Sequence, residues 1–468
     1  MLETAGMTRA DRAALAILVL IVAVGALLRF HNLGGESLWL DESGSWEQSK
    51  GGIADLFEWT ARENYPPGHN LVLFVTIKLI GDSEWSLRLP SALFGVLNIA
   101  ALYWLATLTF GRTAGLFAAA LLALSPFHIK YSQEARMYAL LALAATLYAA
   151  TCFDYLRAPS LLRAGAVALS GLVLVYSHPY GGLDWLAIAI GIAIFALPSM
   201  SLPPRKIAVW AAANLIVALG FAPWAPILAA RAQVVAAKGF WIPAPTPDFV
   251  ALQLLEVVGG GLSAGVIAIG VVLGIVGRPR REVGTFCFWI VAPIAIGIVA
   301  SILSTPVFLS RYAIGSLPPL LLLSAFGWTR YVKDWWGAVL STAVIAVAAL
   351  SLRPYGIVKE DWRGVASFLS EREQATDCVL VVPPYMIHPL SYYRRKSSCQ
   401  WGATKPADLP AEMPASVLFA IFATDHIQTI PGATVTDIID ELLRRGWRET
   451  DHVDFPGSLS VVTFSHPS

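Results

Sequence analysis

The chain has 468 residues, 56% of them hydrophobic and only 14% charged, which is more apolar surface than one soluble domain of ordinary composition can bury. Its formal net charge of +1 offers no basic footprint for a nucleic acid, so that class of partner is excluded. The composition is that of a polytopic α-helical membrane protein in contact with membrane lipids.

Residues 13–30 form the first apolar run, and no small-residue cleavage site follows it. It is expected to stay as a helix and not to be removed as a signal peptide. Further runs were matched to the about 17 to 25 residues that cross roughly 30 Å of hydrocarbon. They fall at 88–109, 113–127, 137–156, 161–177, 182–197, 207–230, 250–276, 284–304, 311–328 and 335–352. Orientation follows from Lys and Arg, which short cytoplasmic loops favour. With a cytoplasmic N-terminus the inner loops hold Arg112, Arg157, Arg163, Arg205, Lys206, Arg278, Arg280, Arg281, Arg330 and Lys333. The short outer loops hold half as many, namely Lys130, Arg136, Arg231, Lys238 and Arg311. Counting the apolar stretch 68–81 as a span would reverse every later loop. It is therefore read as a helix lying in the interface, within a first outer loop over 31–87, which leaves about eleven spans and an outer C-terminus.

From about Leu352 the pattern turns soluble. A helix is expected over 359–373, strands at 377–382, 417–422 and 458–464, and a helix at 434–445. The chain thus reads as a membrane domain, 1–352, followed by a small extracytoplasmic α/β domain, 353–468. Cys378 and Cys399 are the only cysteines of that domain, and an oxidising compartment permits a bridge between them. Gly259 to Gly261 lie inside a predicted span and lack the strand and spacing of a phosphate loop, so a nucleotide-sugar donor is not supported.

Polar residues concentrate in the outer loops of this topology. Asp41 and Glu42, within Leu38-Trp39-Leu40-Asp41-Glu42-Ser43-Gly44-Ser45-Trp46, can be a solvated cap before a helix over Ser43–Lys50, or a carboxylate able to take a proton from a hydroxyl. Asn64-Tyr65-Pro66-Pro67-Gly68-His69 is at least a stiff turn into a helix. In Tyr131-Ser132-Gln133-Glu134-Ala135-Arg136-Met137-Tyr138, Glu134 can serve a helix dipole, yet so many polar groups at a hydrocarbon boundary are costly unless paired or wet. His178-Pro179-Tyr180-Gly181 ends a span, and a lone His makes no metal site. Arg311, in Ser310-Arg311-Tyr312, can snorkel from a span end or grip phosphate oxygens with its guanidinium fork.

Taken in order, these strings resemble the membrane glycosyltransferases of the GT-C fold, in particular the branch of the protein O-mannosyltransferases and the lipid A aminoarabinose transferase. The resemblance implies an inverting glycosyltransferase that takes a sugar from a polyprenyl-phosphate donor and passes it to a lipid, glycan or protein acceptor. The reaction would occur on the periplasmic or extracellular face of the cytoplasmic (inner) membrane. It implies Asp41 as general base with Glu42 in support. Tyr65, His69, Tyr131, Gln133, Glu134, Arg136, Tyr138, His178, Tyr180 and Tyr312 would contact substrate, and Arg311 the lipid phosphate. The resemblance implies no obligatory cofactor and leaves room for a divalent metal ion. The aminoarabinose transferase carries a metal-binding Glu two residues before its first Pro, where this chain has Asn64. That leaves Glu63, His69 and His178 as the candidate ligands. Where that enzyme has an Asp near the 131–138 string, this chain has Arg136. Asp361-Trp362-Arg363 matches a pattern seen after the last span of bacterial members, with no chemical role evident from the residues. The rival classes are a lipid-linked sugar flippase, which should carry mid-membrane charges and repeated halves, and a non-catalytic scaffold.

A reporter active only in an oxidising compartment, fused after Ser468, is expected to be active, and a signal confined to the cytosol would overturn the topology.

Overall fold

The computed structural model describes residues 8–276, 281–330, 344–350, 359–394, 399–428, 430, 432 and 434–466. The chain divides into two compact units, one made of Met1–Leu33, Gly51–Gly81 and Leu87–Tyr355, the other of Gly34–Lys50, Asp82–Ser86 and Gly356–Ser468.

The first unit is helical. Its helices are α1 (Arg9–Phe30), α3 (Ile53–Ala61), α4 (Gly68–Ile80), most of α5 (Glu84–Thr109), α6 (Arg112–Ala123), α7 (Pro126–Ser132), α8 (Tyr138–Arg157), α9 (Leu161–Ser177) and α10 (Pro179–Gly191). There follow α11 (Pro204–Phe221), α12 (Ala225–Lys238), α13 (Pro247–Val257), α14 (Gly261–Val276), α15 (Arg281–Leu303) and α16 (Leu317–Arg330). The short helix α2 (Leu40–Ser49) belongs to the other unit. Among the described residues six helices are long and apolar enough to cross a membrane, and up to eight if each of two bent pairs counts as one span. The protein is thus a multi-pass membrane protein. The expected span 335–352 lies mostly outside the described residues, as do Arg278, Arg280 and Lys333 of the charge count. At 13 residues α4 extends about 20 Å, short of the hydrocarbon thickness.

Three apolar runs break where sequence chemistry demands it. The run 113–127 becomes α6 and α7, bent by 61°. Pro126 cannot continue a helix, and Ser125 caps the next one by accepting from the His128 N–H at 3.3 Å. At the break the carbonyls of Leu122 and Ala123 accept from the buried guanidinium of Arg29 at 3.0 Å each. Arg29 also donates to His128 Nδ1 at 2.8 Å. The second ring nitrogen of His128, Nε2, lies 3.1 Å from the Asn98 side-chain amide nitrogen. The run 250–276 becomes α13 and α14, bent by 82° at Gly259 and Gly260, both at φ of 80°, a left-handed conformation that glycine adopts without strain. Pro223 and Pro226 divide 207–230 into α11 and α12.

The second unit is a five-stranded sheet in the order β2-β1-β3-β5-β4, with β1 (Cys378–Val382), β2 (Gln400–Gly402), β3 (Val417–Ala423), β4 (Arg448–Phe455) and β5 (Leu459–Ser465). β1 is parallel to both β2 and β3, while β5 runs antiparallel to β3 and β4. The all-apolar β1 is buried along its length, as a strand covered on both faces must be. The expected helices appear as Trp362–Arg372 and Val435–Arg444. β4 escaped the sequence reading because it is an edge strand of mostly polar residues, with only Val453 and Phe455 apolar. Cys378 and Cys399 form a disulfide, with Cα atoms 4.7 Å apart at the start of two paired strands.

Thiol labelling of the denatured, unreduced protein is expected to reach Cys152 and Cys287 alone. Reduction should add Cys378 and Cys399, and labelling of those two without reductant would disprove the bridge.

Candidate active site

The acidic pair sits on α2. Trp39, in extended conformation, is the N-cap, so Asp41 and Glu42 lie in the first turn, where carboxylates favour the helix dipole. Asp41 is therefore no cap, and the helix starts earlier than expected. Asp41 is half-buried, while Glu42 is fully buried with Lys359 Nζ at 3.3 Å from its carboxylate. The far end of α2 is fixed within the same unit. Trp46 Nε1 donates to Asp82 at 2.8 Å, and its ring meets Tyr392 edge-on with centroids 4.9 Å apart.

The other candidates gather in the helical unit around Tyr138, the first residue of α8. The Arg136 guanidinium lies 5.1 Å from the Tyr65 ring and 5.9 Å from that of Tyr138. Arg311 lies 5.7 Å from the same Tyr138 ring, 5.6 Å from Tyr312 and 5.3 Å from Trp241. Two guanidinium groups therefore share one aromatic ring, an arrangement favourable to each cation. His178 and Tyr180 close the cluster against Tyr312, at centroid distances of 5.0 and 5.5 Å, and Tyr131 meets Tyr138 at 5.0 Å. Glu134 and Arg136 are both buried, in the non-helical link between α7 and α8. Glu134 thus does not begin a helix.

Other candidates have visible structural duties. Gln133 donates its side-chain amide to the carbonyls of Leu28 and His31, at 3.2 and 2.8 Å, closing the end of α1. His178 caps α10, its Nδ1 accepting from the Tyr180 N–H at 3.1 Å. In its neutral form that leaves the proton on Nε2, so this cap and a metal bond through Nε2 exclude each other. His69 is buried at the start of α4, where Gly68 allows close approach, since a Cβ there would meet the Tyr176 carbonyl at 2.4 Å. Among the described residues no three His, Cys, Asp or Glu side chains come together as a group that could hold a metal, so Glu63, His69 and His178 form no such set.

Several residues at this site went unnoticed in the sequence. Glu256, at the end of α13, accepts from Ser310 Oγ at 2.6 Å and pairs with Lys130 at 3.0 Å. Gln253 accepts from the Ser310 N–H at 2.7 Å. Together they pin the 3-10 turn Ser310–Ser316 that carries Arg311 and Tyr312. On its other side Asp184 accepts from Trp289 Nε1 at 3.0 Å, and a Cβ on Gly315 would lie 2.0 Å from its second oxygen. The available signal was an acid inside an apolar run, at 184 and again at 256.

The match to a family model covers residues 64–227, and that family is described as dolichyl-phosphate-mannose-protein mannosyltransferase. No curated protein matches the sequence. Among solved structures the chain is similar to ArnT from Cupriavidus metallidurans in the apo state, with a TM-score of 0.64 and 17% identity over 96% of this chain and 98% of that one. It is also similar to the same protein bound to undecaprenyl phosphate, with a TM-score of 0.59 and 16% identity over 95% and 97%. The oligosaccharyltransferase of Archaeoglobus fulgidus, in complex with zinc and sulfate, matches with a TM-score of 0.57 and 12% identity over 92% of this chain and 71% of that one.

Replacing Gly315 by Ala is expected to push the Arg311 turn away from Asp184 and destabilise the protein by about 1 to 3 kcal/mol, the usual cost of overpacking. A thermal melt in detergent identical to wild type would contradict that close contact.

Proposed function

We propose that this chain, which has the GT-C fold of the membrane glycosyltransferase superfamily, is an inverting glycosyltransferase that uses a polyprenyl-phosphate sugar. The observation that carries the reading is the pair of guanidinium groups, Arg136 and Arg311, beside the same Tyr138 ring, at 5.9 and 5.7 Å. Guanidinium forks at a hydrocarbon boundary match the oxygens of an anion that carries a lipid tail. The family description and the ArnT structure bound to undecaprenyl phosphate support the same donor class.

In the proposed reaction Arg311, with Arg136 beside it, holds the donor phosphate. Asp41 takes the proton of the acceptor hydroxyl as that oxygen attacks the anomeric carbon. The new oxygen–carbon bond forms as the bond from the anomeric carbon to the phosphate oxygen breaks, its electron pair leaving with the lipid phosphate. That leaving group is a stable anion and needs no proton, so a single carboxylate suffices, unlike the two that a glycosidase uses. Glu42 supports Asp41. The acceptor is a lipid, glycan or protein hydroxyl. The disulfide of the sheet unit supports an oxidising, extracytoplasmic location for that unit, and the cytoplasmic membrane is the proposed site of action.

The test is transfer from a synthetic polyprenyl-phosphate sugar by purified protein in detergent. Asp41→Asn is expected to lower turnover about 100- to 10,000-fold, the usual worth of a positioned base, with donor affinity kept. Arg311→Ala should weaken donor saturation far more than acceptor saturation. Near-normal turnover in Asp41→Asn would reject the base assignment, and unchanged donor saturation in Arg311→Ala would remove that residue from the phosphate site.

A further inference from the structure

The segment that carries Asp41 and Glu42 packs with the C-terminal sheet unit, more than 300 residues downstream in sequence. Besides the bonds to Asp82 and Tyr393, a group of polar bonds to it comes from one short stretch, Lys359-Glu360-Asp361-Trp362-Arg363. Asp361 caps the following helix by accepting from the Gly364 N–H at 2.9 Å, and its same oxygen accepts from Ser37 Oγ at 3.2 Å. The Arg363 backbone N–H donates to Ser37 Oγ at 3.2 Å. Its guanidinium donates to the carbonyls of Gly34 and Gly35, at 3.3 Å each, and to Glu84 at 2.6 Å. The Glu84 carboxylate holds the Arg363 guanidinium above its ordinary pKa. Trp362 is fully buried and donates to Glu360 at 2.6 Å, and the other Glu360 oxygen meets His426 Nε2 at 2.6 Å, which anchors the stretch in its own unit. The Asp-Trp-Arg string, without a chemical role in the sequence, is thus a strap across the segment that leads into α2.

Lys359 does something the strap alone does not, because it reaches the acidic pair itself. Glu42 is fully buried, the Lys359 side chain is 15% exposed, and the two meet at 3.3 Å. A buried carboxylate needs a cation and hydrogen bonds to stay ionised. Two adjacent carboxylates in one helical turn also repel each other. A cation against the buried member removes that repulsion and fixes its rotamer, which leaves the half-buried Asp41 as the member that meets solvent.

We propose that Lys359 is a positioning residue for the Asp41–Glu42 pair, so that the C-terminal unit supplies part of the catalytic machinery through its contact with Glu42. This rests on Asp41 being the base. The test uses the full-length protein in detergent and a cycle of Lys359→Met, Glu42→Gln and the double variant, with Lys359→Arg as the conservative replacement. Lys359→Met is expected to lower kcat on the order of tenfold with little change in either KM, and Lys359→Arg to recover most of that loss. The double variant should be no slower than Glu42→Gln alone, because the Lys359–Glu42 ion pair is already lost there. An unchanged kcat in Lys359→Met, or a loss that persists undiminished in the Glu42→Gln background, overturns the proposal. If Lys359→Met does not yield folded protein, recovery of a cooperative melt in the double variant supports the pairing and its absence overturns it. Normal turnover in Asp41→Asn sinks the base assignment, whereas an additive cycle alongside an inactive Asp41→Asn sinks the positioning role alone.

Discussion

The helical unit depends on one buried cation. Arg29, at the last turn of α1, donates to the carbonyls of Gly25, Leu122 and Ala123 and to the ring of His128. Hydrogen bonds to a charged group are worth about 1.5 to 3 kcal/mol each, and here they do specific work. They answer carbonyls at the end of α6 and hold the ring of His128 in α7 against them. The 61° bend is therefore a defined joint. Everything that follows it in the chain toward the site, Tyr131, Glu134, Arg136 and Tyr138, takes its place from that joint.

The same logic recurs on the other side of the cluster. The second bend, at Gly259 and Gly260, sits next to Glu256, whose carboxylate meets Ser310 and Lys130. Broken helices are tolerated in a membrane protein only where their freed backbone groups are answered by other polar groups. Here the groups near the breaks are also those that carry the arginines. The polar residues that make the fold possible and those proposed to hold an anion are thus close neighbours, and they form one cluster in the helical unit.

The sheet unit contributes in a different way. Its strands β1, β2 and β3 are parallel, its core is apolar on both faces, and α2 packs against the helix Ile387–Tyr393 that follows β1. Tyr393 donates no more than local support: its hydroxyl accepts from the Leu38 N–H at 2.7 Å and lies 3.1 Å from Glu84, and burial raises its pKa. A short polar helix such as α2 has little stability of its own. Held by Lys359, Asp82 and Tyr392, it keeps its two carboxylates in one place.

Much was legible in the sequence because the strongest signals are local. Apolar runs set the helices, with α9 falling at 161–177 as expected, and the change of period near 352 announced strands at β1, β3 and β5. Residue type alone singled out Arg136, Tyr138, Arg311 and Tyr312, and the fold gathers the other three around the Tyr138 ring. What the sequence could not settle was pairing at a distance. Nothing near position 42 names Lys359 as its partner, and nothing near 29 names the carbonyls of 122 and 123, because such bonds depend on where whole helices come to rest. Gln133 and His178 make the same point in reverse. Both look like ligand residues by type, yet only the tertiary structure shows the amide of one closing α1 and the ring of the other capping α10. Periodicity and cost of burial are properties of a stretch of chain, whereas the partner that answers a buried polar atom is a property of the packed molecule.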